Sequence, residues 1–251
     1  PAKKGAHPEE NISAPDAGAL EAMLDTASVR MVTLATEMPN AGELVEVAAG
    51  RGVVVSLGHS NATFEEALDA LDSGVRGATH LFNAMSPMHH RDPGVPGAVL
   101  VHPGVVCGII ADGRHVHPGM VQLAYEKLGV DRIYLVTDAM SAAGMGEGQY
   151  TLGDRHVSMK DGVPRLEDGT IAGSVLLMHE ALGNVMAFTG CTLPEAVRMA
   201  ATTPARLIGE DGRKGRLSPG CDADVIALSP DLNVEMVWTK GETAYDRRSS
   251  A

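Results

Sequence analysis

The chain of 251 residues is rich in aliphatic side chains and nearly without aromatics (1 Trp, 4 Tyr, 3 Phe), which excludes disordered, collagen-like and coiled-coil classes and leaves an ordered protein whose core is built from Ala, Val, Leu, Ile and Met. Asp and Glu number 32 against 20 Lys and Arg, and the resulting formal net charge of -12 repels a polyanion, so nucleic acid is excluded as a partner. Apolar runs such as 53–57 and 133–136 are too short to span a bilayer, no signal-peptide pattern opens the sequence, and Cys107, Cys191 and Cys221 form neither a disulfide framework nor a CxxC pair, so the expectation is a cytoplasmic protein without membrane attachment.

Between 30 and 139, short β-type runs alternate with amphipathic stretches, the pattern of βαβ units on a parallel sheet. Residues 31–34 read as a strand, 42–49 as a helix, and 52–57 as a strand apolar on both faces. A helix over 64–71 has Thr63 as N-cap with Glu66 completing a capping box, and Gly74 as its stop. Strands follow at 77–81, 105–111 and 132–136, with a helix opened by Pro118 over 118–128. Residues 149–170, rich in Gly and Asp, read as a β-hairpin insertion. Helical periodicity returns at 174–189 and 194–201, where Met178, Met186 and Met199 read as packing residues, and 215–245 is again β-type. A boundary near Gly212 divides a first unit, 1–212, from a second, 213–251.

The chemically capable side chains fall at the ends of these strands. His59 follows 53–57, His80 closes 77–79, Asp112 and His115 follow 105–111, and Asp138 follows 133–136. In a (β/α)8 barrel this carboxyl edge is the active-site face, so side chains one βα unit apart converge on one cup. Two imidazoles and a carboxylate around one point suit a divalent transition ion, zinc foremost, with iron, manganese or cobalt open, better than Mg2+ or Ca2+. Such an ion acidifies water and polarises a carbonyl while a nearby Asp moves a proton, the chemistry of amide hydrolysis. His102, His117, His156 and His179 fit no such pattern and read as structural or surface groups.

The wording of these segments, GHSNAT at 58–63, THLFNAM at 79–85, ADGRH at 111–115 and VTDA at 136–139, resembles the N-acetylglucosamine-6-phosphate deacetylases of the amidohydrolase superfamily, and the likeness runs from KKGAH at 3–7 to GRL at 215–217. The resemblance implies an α/β TIM-barrel hydrolase. It implies His59 and His80 as metal ligands and Asp138 as the carboxylate that takes a proton from water and returns it to the sugar amine. Ala6, His7, Asn83, Ala84, Asp112, Gly113, Arg114, His115, Ile171, Ala172 and Gly173 match substrate-contacting positions. Arg91, in the MHHR loop at 88–91, matches a phosphate-binding arginine that can be supplied across a dimer interface, and the resemblance implies a homodimer. That assignment has independent sense, because an acidic protein that holds a sugar phosphate must gather positive charge locally.

The family's first metal ligand is a Glu in an HLEGP-type segment upstream of KGAH, and this sequence starts after that point. The expectation is therefore a partial barrel with two of three ligands, plus half of a small β-sandwich in 213–251. Glu9, Glu10 and Glu37 are nearby carboxylates, but none stands in the matching motif. Two other readings stay open: a dihydroorotase-like cyclic amidase, although no Lys stands at a strand end to bridge two metals, and a catalytically silent subunit that keeps the barrel face without the chemistry.

Overall fold

Strands β1 (Met31–Leu34), β2 (Val54–Leu57), β3 (Gly77–Ala78), β4 (Val106–Ile109) and β5 (Ile133–Leu135) pair in parallel, in the order of the chain, in a computed structural model that describes residues 2–249. Sequential order without a reversal is the arrangement of a (β/α)8 barrel and not of a doubly wound sheet. Register follows from one-to-one pairing: Thr33 lies beside Ser56, Ser56 beside Gly77, and Gly77 beside Val106. Strands β3 and β5 are buried throughout and β4 is buried apart from Val106, whereas β1, at one edge, is only half-buried.

Helices α1 (Ala17–Thr26), α2 (Ala41–Gly50), α3 (Phe64–Asp72), α4 (Gly94–Val101) and α5 (Pro118–Leu128) each precede a strand, and their buried residues join the strands in one aliphatic core. The capping box at Thr63 and Glu66 forms as expected, with bonds of 2.8 and 3.2 Å. Two helices escape the sequence pattern. Helix α4 is buried on all sides up to Leu100, so it has no polar face to produce a periodic signal, and it contains the poor helix formers Gly94, Pro96 and Gly97. Helix α1 starts where the Asp16 carboxylate accepts the Ala19 N–H at 3.0 Å.

After β5 the chain makes a three-stranded antiparallel meander, β6 (Gly148–Leu152), β7 (Arg155–Lys160) and β8 (Val163–Arg165), where the sequence predicts a hairpin. Val157, Met159 and Leu166 form a separate small core with Met140, Ala142 and Ala172, which places the meander over the loop that follows β5. Ser174 bridges to Ala139 in that loop and Leu177 is extended, so helix α6 starts at Met178 (Met178–Thr189) and not at 174. Helix α7 (Leu193–Val197) passes through a π-helical turn, Arg198–Thr202, into α8 (Thr203–Leu207). Met199 in that turn is fully buried, and Met186 packs against the same core, whereas Met178 is exposed.

Strands β9 (Val225–Leu228), β10 (Val234–Thr239) and β11 (Glu242–Asp246) form an antiparallel sheet that adjoins the main core through Leu228 and Leu232. Ile226 and Tyr245 both pair with Val237, and both are exposed, so this sheet presents an apolar row to solvent. Among the described residues no helix is long and apolar enough to cross a membrane.

Candidate active site

Strands β2 to β5 each end in a turn that carries one of the expected side chains. His59, His80 and Asp138 all have left-handed backbone, with φ of 49, 33 and 51°. Non-glycine residues adopt that conformation at a cost of about 1–3 kcal/mol, so the surrounding contacts must hold it. Gly58 makes the tight approach possible: a Cβ there would stand 2.7 Å from Thr79 Cβ and 2.8 Å from Thr33 Cγ2. Beneath the turns, the hydroxyls of Thr33, Ser56 and Thr79 bond across three neighbouring strands at 2.9 and 2.7 Å.

The rings of His7, His59 and His80 form an edge-on row with centroids 5.0 and 4.9 Å apart. His59 donates its Nδ1–H to the Lys3 carbonyl at 2.9 Å, which leaves the Nε2 lone pair facing inward. That Nε2 stands 3.1 Å from Nε2 of His80. Burial pushes both imidazoles below the ordinary histidine range, while the Asp138 charge pulls the other way. They are thus held in the neutral form that ligates a cation. His80 Nδ1 is buried and finds no hydrogen-bond partner among the described residues.

Two converging, desolvated imidazole nitrogens with a carboxylate close by fit a borderline-soft divalent cation. The set is short of a complete one: among the described residues no group of three or more His, Cys, Asp or Glu side chains is placed to hold a metal. Glu9 and Glu10 sit exposed on a short turn, and Glu37 is engaged by Ser60 and Asn61.

A cavity of about 730 Å3 opens on these groups, lined by Ala6, His7, His59, His80, Asn83, Ala84, Arg114, His115, Asp138, Ile171 and Gly173. Asn83 donates to the carbonyls of His80 and Leu81, which ties its turn to the ligand turn. Gly173 and Ile171 arrive because Ser174 N–H bonds the Asp138 carbonyl at 2.7 Å; Ala172 between them is fully buried. Asp112 orients His115, accepting its Nδ1–H at 2.6 Å and the backbone N–H of Arg114 and His115 at 2.8 Å. Burial alone would raise the Asp112 pKa, but these bonds more than offset it, and the carboxyl titrates below its usual range. Asp112 faces a neighbouring cavity of about 580 Å3 whose wall includes Arg114, His115 and His179. Gly113, at φ 71°, forms the turn between Asp112 and Arg114.

Arg91 is not part of the cavity wall. It lies on an exposed turn between His89 and Asp92, with Nη1 donating to His90 Nε2 at 2.7 Å. Of the remaining histidines, His117 caps α5 by accepting Gly119 N–H, and His102 bonds Asp72. Sequence reasoning passed over the Lys3 carbonyl and the rim residues Leu152, Gly153 and Asp154 of the β6–β7 turn, which line the same cavity. It also left Glu37 without a role, although that residue, like the others, stands just past a strand end.

The model of the Amidohydrolase family matches residues 2–244. The chain belongs to the amidohydrolase family. An N-acetylgalactosamine-6-phosphate deacetylase of Escherichia coli O157:H7 is 40% identical over 97% of this chain. An N-acetylglucosamine-6-phosphate deacetylase of Homo sapiens is 39% identical, again over 97%. The chain spans 65% and 62% of the length of these two relatives, less than two thirds. Among solved structures, the N-acetylglucosamine-6-phosphate deacetylase of Thermotoga maritima superposes with a TM-score of 0.89 at 41% identity, over 97% of this chain and 66% of that one. A mutant of the Mycobacterium smegmatis enzyme, in complex with N-acetyl-D-glucosamine-6-phosphate, gives 0.91 at 36% identity, over 96% and 65%.

Proposed function

We propose that this amidohydrolase chain carries the catalytic face of an N-acetylglucosamine-6-phosphate deacetylase, releasing acetate and glucosamine 6-phosphate. The observation that carries the reading is the convergence of His59, His80 and Asp138 on one cavity at the carboxyl ends of the parallel strands β2, β3 and β5. The names of relatives near 40% identity add the substrate class.

His59 and His80 would hold one divalent transition ion, zinc foremost, through their Nε2 atoms. When bound, such an ion supplies Lewis-acid polarisation of an amide carbonyl and acidifies a water. Asp138 accepts the proton of the attacking water as its oxygen adds to the acetyl carbon. It then passes that proton to the sugar nitrogen as the C–N bond breaks, so that acetate and a free amine leave. His7, next to His59 in the imidazole row, would bond the acetyl oxygen. Asn83, Ala84, Arg114, His115 and the segment 171–173 form the wall against which the sugar rests.

The phosphate is held by Arg91. Because its turn stands apart from the cavity, a second copy of the chain supplies it in a homodimer. We further assign residues 213–251 to a second unit, a β-sandwich half whose exposed row at Ile226 and Tyr245 calls for a cover. The free thiols of Cys107, Cys191 and Cys221 suit a reducing cytoplasm.

The relative named for galactosamine favours a second reading of the substrate, the C4 epimer. Acetate release from the two 6-phosphates and from unphosphorylated N-acetylglucosamine, measured on the full chain, decides between them. The proposal expects kcat/KM highest for N-acetylglucosamine 6-phosphate and a loss of about 10²–10⁴-fold in kcat for Asp138→Asn. Equal turnover by parent and variant would remove Asp138 from the proton path.

A further inference from the structure

The carboxylate of Glu37, in the turn after β1, reaches across to the turn after β2. Its Oε2 accepts the Ser60 hydroxyl and its Oε1 the Asn61 N–H, each at 2.7 Å. The residue immediately before this pair is His59, whose left-handed φ of 49° a histidine does not adopt without restraint. Two bonds from one carboxylate to consecutive residues fix the exit direction of that turn, and with it the direction of the His59 side chain.

Ser60 extends the restraint. It is fully buried; its hydroxyl also accepts the Ala62 N–H at 3.1 Å, and its carbonyl accepts the Ser86 N–H at 3.0 Å. The Ser86 hydroxyl then donates to the Ala62 carbonyl at 2.7 Å and accepts the Val95 N–H at 2.9 Å. A single polar chain thus starts at Glu37, crosses the His59 turn, and ends on the loop after β3, which carries His80 at one end and Arg91 further on.

We infer that Glu37 is a positioning residue for the cation site: its bidentate grip on Ser60 and Asn61 holds His59 Nε2 opposite His80 Nε2. The inference rests on the reading that these two imidazoles hold a divalent ion. Outer partners that orient a ligating imidazole are commonly worth 10–100-fold in metal affinity. Glu37 acts one residue removed from the ring, through the backbone that aims it.

The test measures Co2+ affinity by chelator competition, and the visible spectrum of the Co2+ form, on the full chain and its variants. Glu37→Ala should weaken Co2+ binding by about 10–100-fold and alter the absorption bands that report ligand geometry. Glu37→Gln keeps a carbonyl acceptor for Asn61 N–H, so it should fold and show a smaller loss; it decides the matter if the alanine variant does not fold. Glu195→Ala serves as the control. Glu195 likewise accepts two bonds from one residue, Thr192, but does so away from the cavity, so its loss should lower stability and leave Co2+ affinity unchanged. Parent-like affinity and spectrum in both Glu37 variants would overturn the inference, leaving Glu37 as a loop closure. Co2+ uptake that survives unchanged in His59→Asn and His80→Asn would instead overturn the cation reading, and the role of Glu37 with it.

Discussion

Asp112 and His115 form a dyad at the end of β4 in which a carboxylate oxygen lies 2.6 Å from an imidazole nitrogen, and both side chains are largely shielded from water. The bond fixes the proton on Nδ1 and turns Nε2 of His115 toward the cavity. In Asp112→Asn the amide can still accept the two backbone N–H groups, but its NH2 cannot accept from the ring. The imidazole then changes tautomer or turns. The expected result is a fall of roughly 10–100-fold in kcat/KM, matching the 1.5–3 kcal/mol typical of a charged hydrogen bond, with little change in melting temperature. Steady-state kinetics beside a thermal melt would check it.

The two inward imidazoles make stability depend on pH in a defined window. Both titrate below the ordinary value of about 6.5 because burial disfavours the charged form, so the unfolded chain binds more protons between the native values and 6.5. Stability therefore rises with pH across that interval and is lost as pH falls below about 6.5. Asp112 acts separately: its lowered pKa contributes stability that is complete above the ordinary carboxyl value of about 3.9 and disappears only in stronger acid. Urea melts of the metal-free protein at several pH values should show the upper loss in the parent and a flatter profile in the His59→Asn/His80→Asn double variant. An unchanged slope would assign the loss to other groups.

Gly58 is a steric requirement of the site. An added methyl would press on Thr79 and Thr33 from 2.7 and 2.8 Å, in a place where both neighbours are locked by hydroxyl bonds. Gly58→Ala should cost about 1–3 kcal/mol and displace the His59 turn. Chemical denaturation measures the first effect and Co2+ binding the second.

Arg91 should reveal itself by a substrate comparison. If its guanidinium holds the phosphate, Arg91→Ala raises KM for the phosphorylated sugar by about 10–100-fold and leaves the unphosphorylated sugar unaffected. Equal changes on both substrates would place the residue elsewhere. Mixing Arg91→Ala with Asp138→Asn chains adds a second readout, because recovered turnover would require the Asp138→Asn copy to supply its Arg91 to the site of the Arg91→Ala copy.

The strand ends were legible because β-type runs such as 53–57 and 133–136 are bounded sharply, and His59, His80, Asp112 and Asp138 stand directly after them. Helix α4 was not, since a helix buried on every side leaves no alternation of polar and apolar residues. The Lys3 carbonyl that sets the His59 tautomer has no side-chain signature at all. Glu37 obeys the same strand-end rule as the residues that were found, yet its contribution lies in a turn geometry that depends on Ser60 and Asn61, 23 and 24 positions away. The placement of Arg91 depends on where an exposed turn points, which local pattern does not encode.

The left-handed backbone at 59, 80 and 138 also constrains which replacements the protein can accept there, apart from any chemistry. Asn, Asp and Gly populate that region readily, while Val, Ile and Thr are driven out of it by their branched Cβ. In a library of all single substitutions ranked by cellular abundance alone, these three positions should share one tolerance profile, with Asn and Gly retained and β-branched residues depleted. Catalytically dead chains of normal abundance would then mark the places where fold and chemistry can be separated.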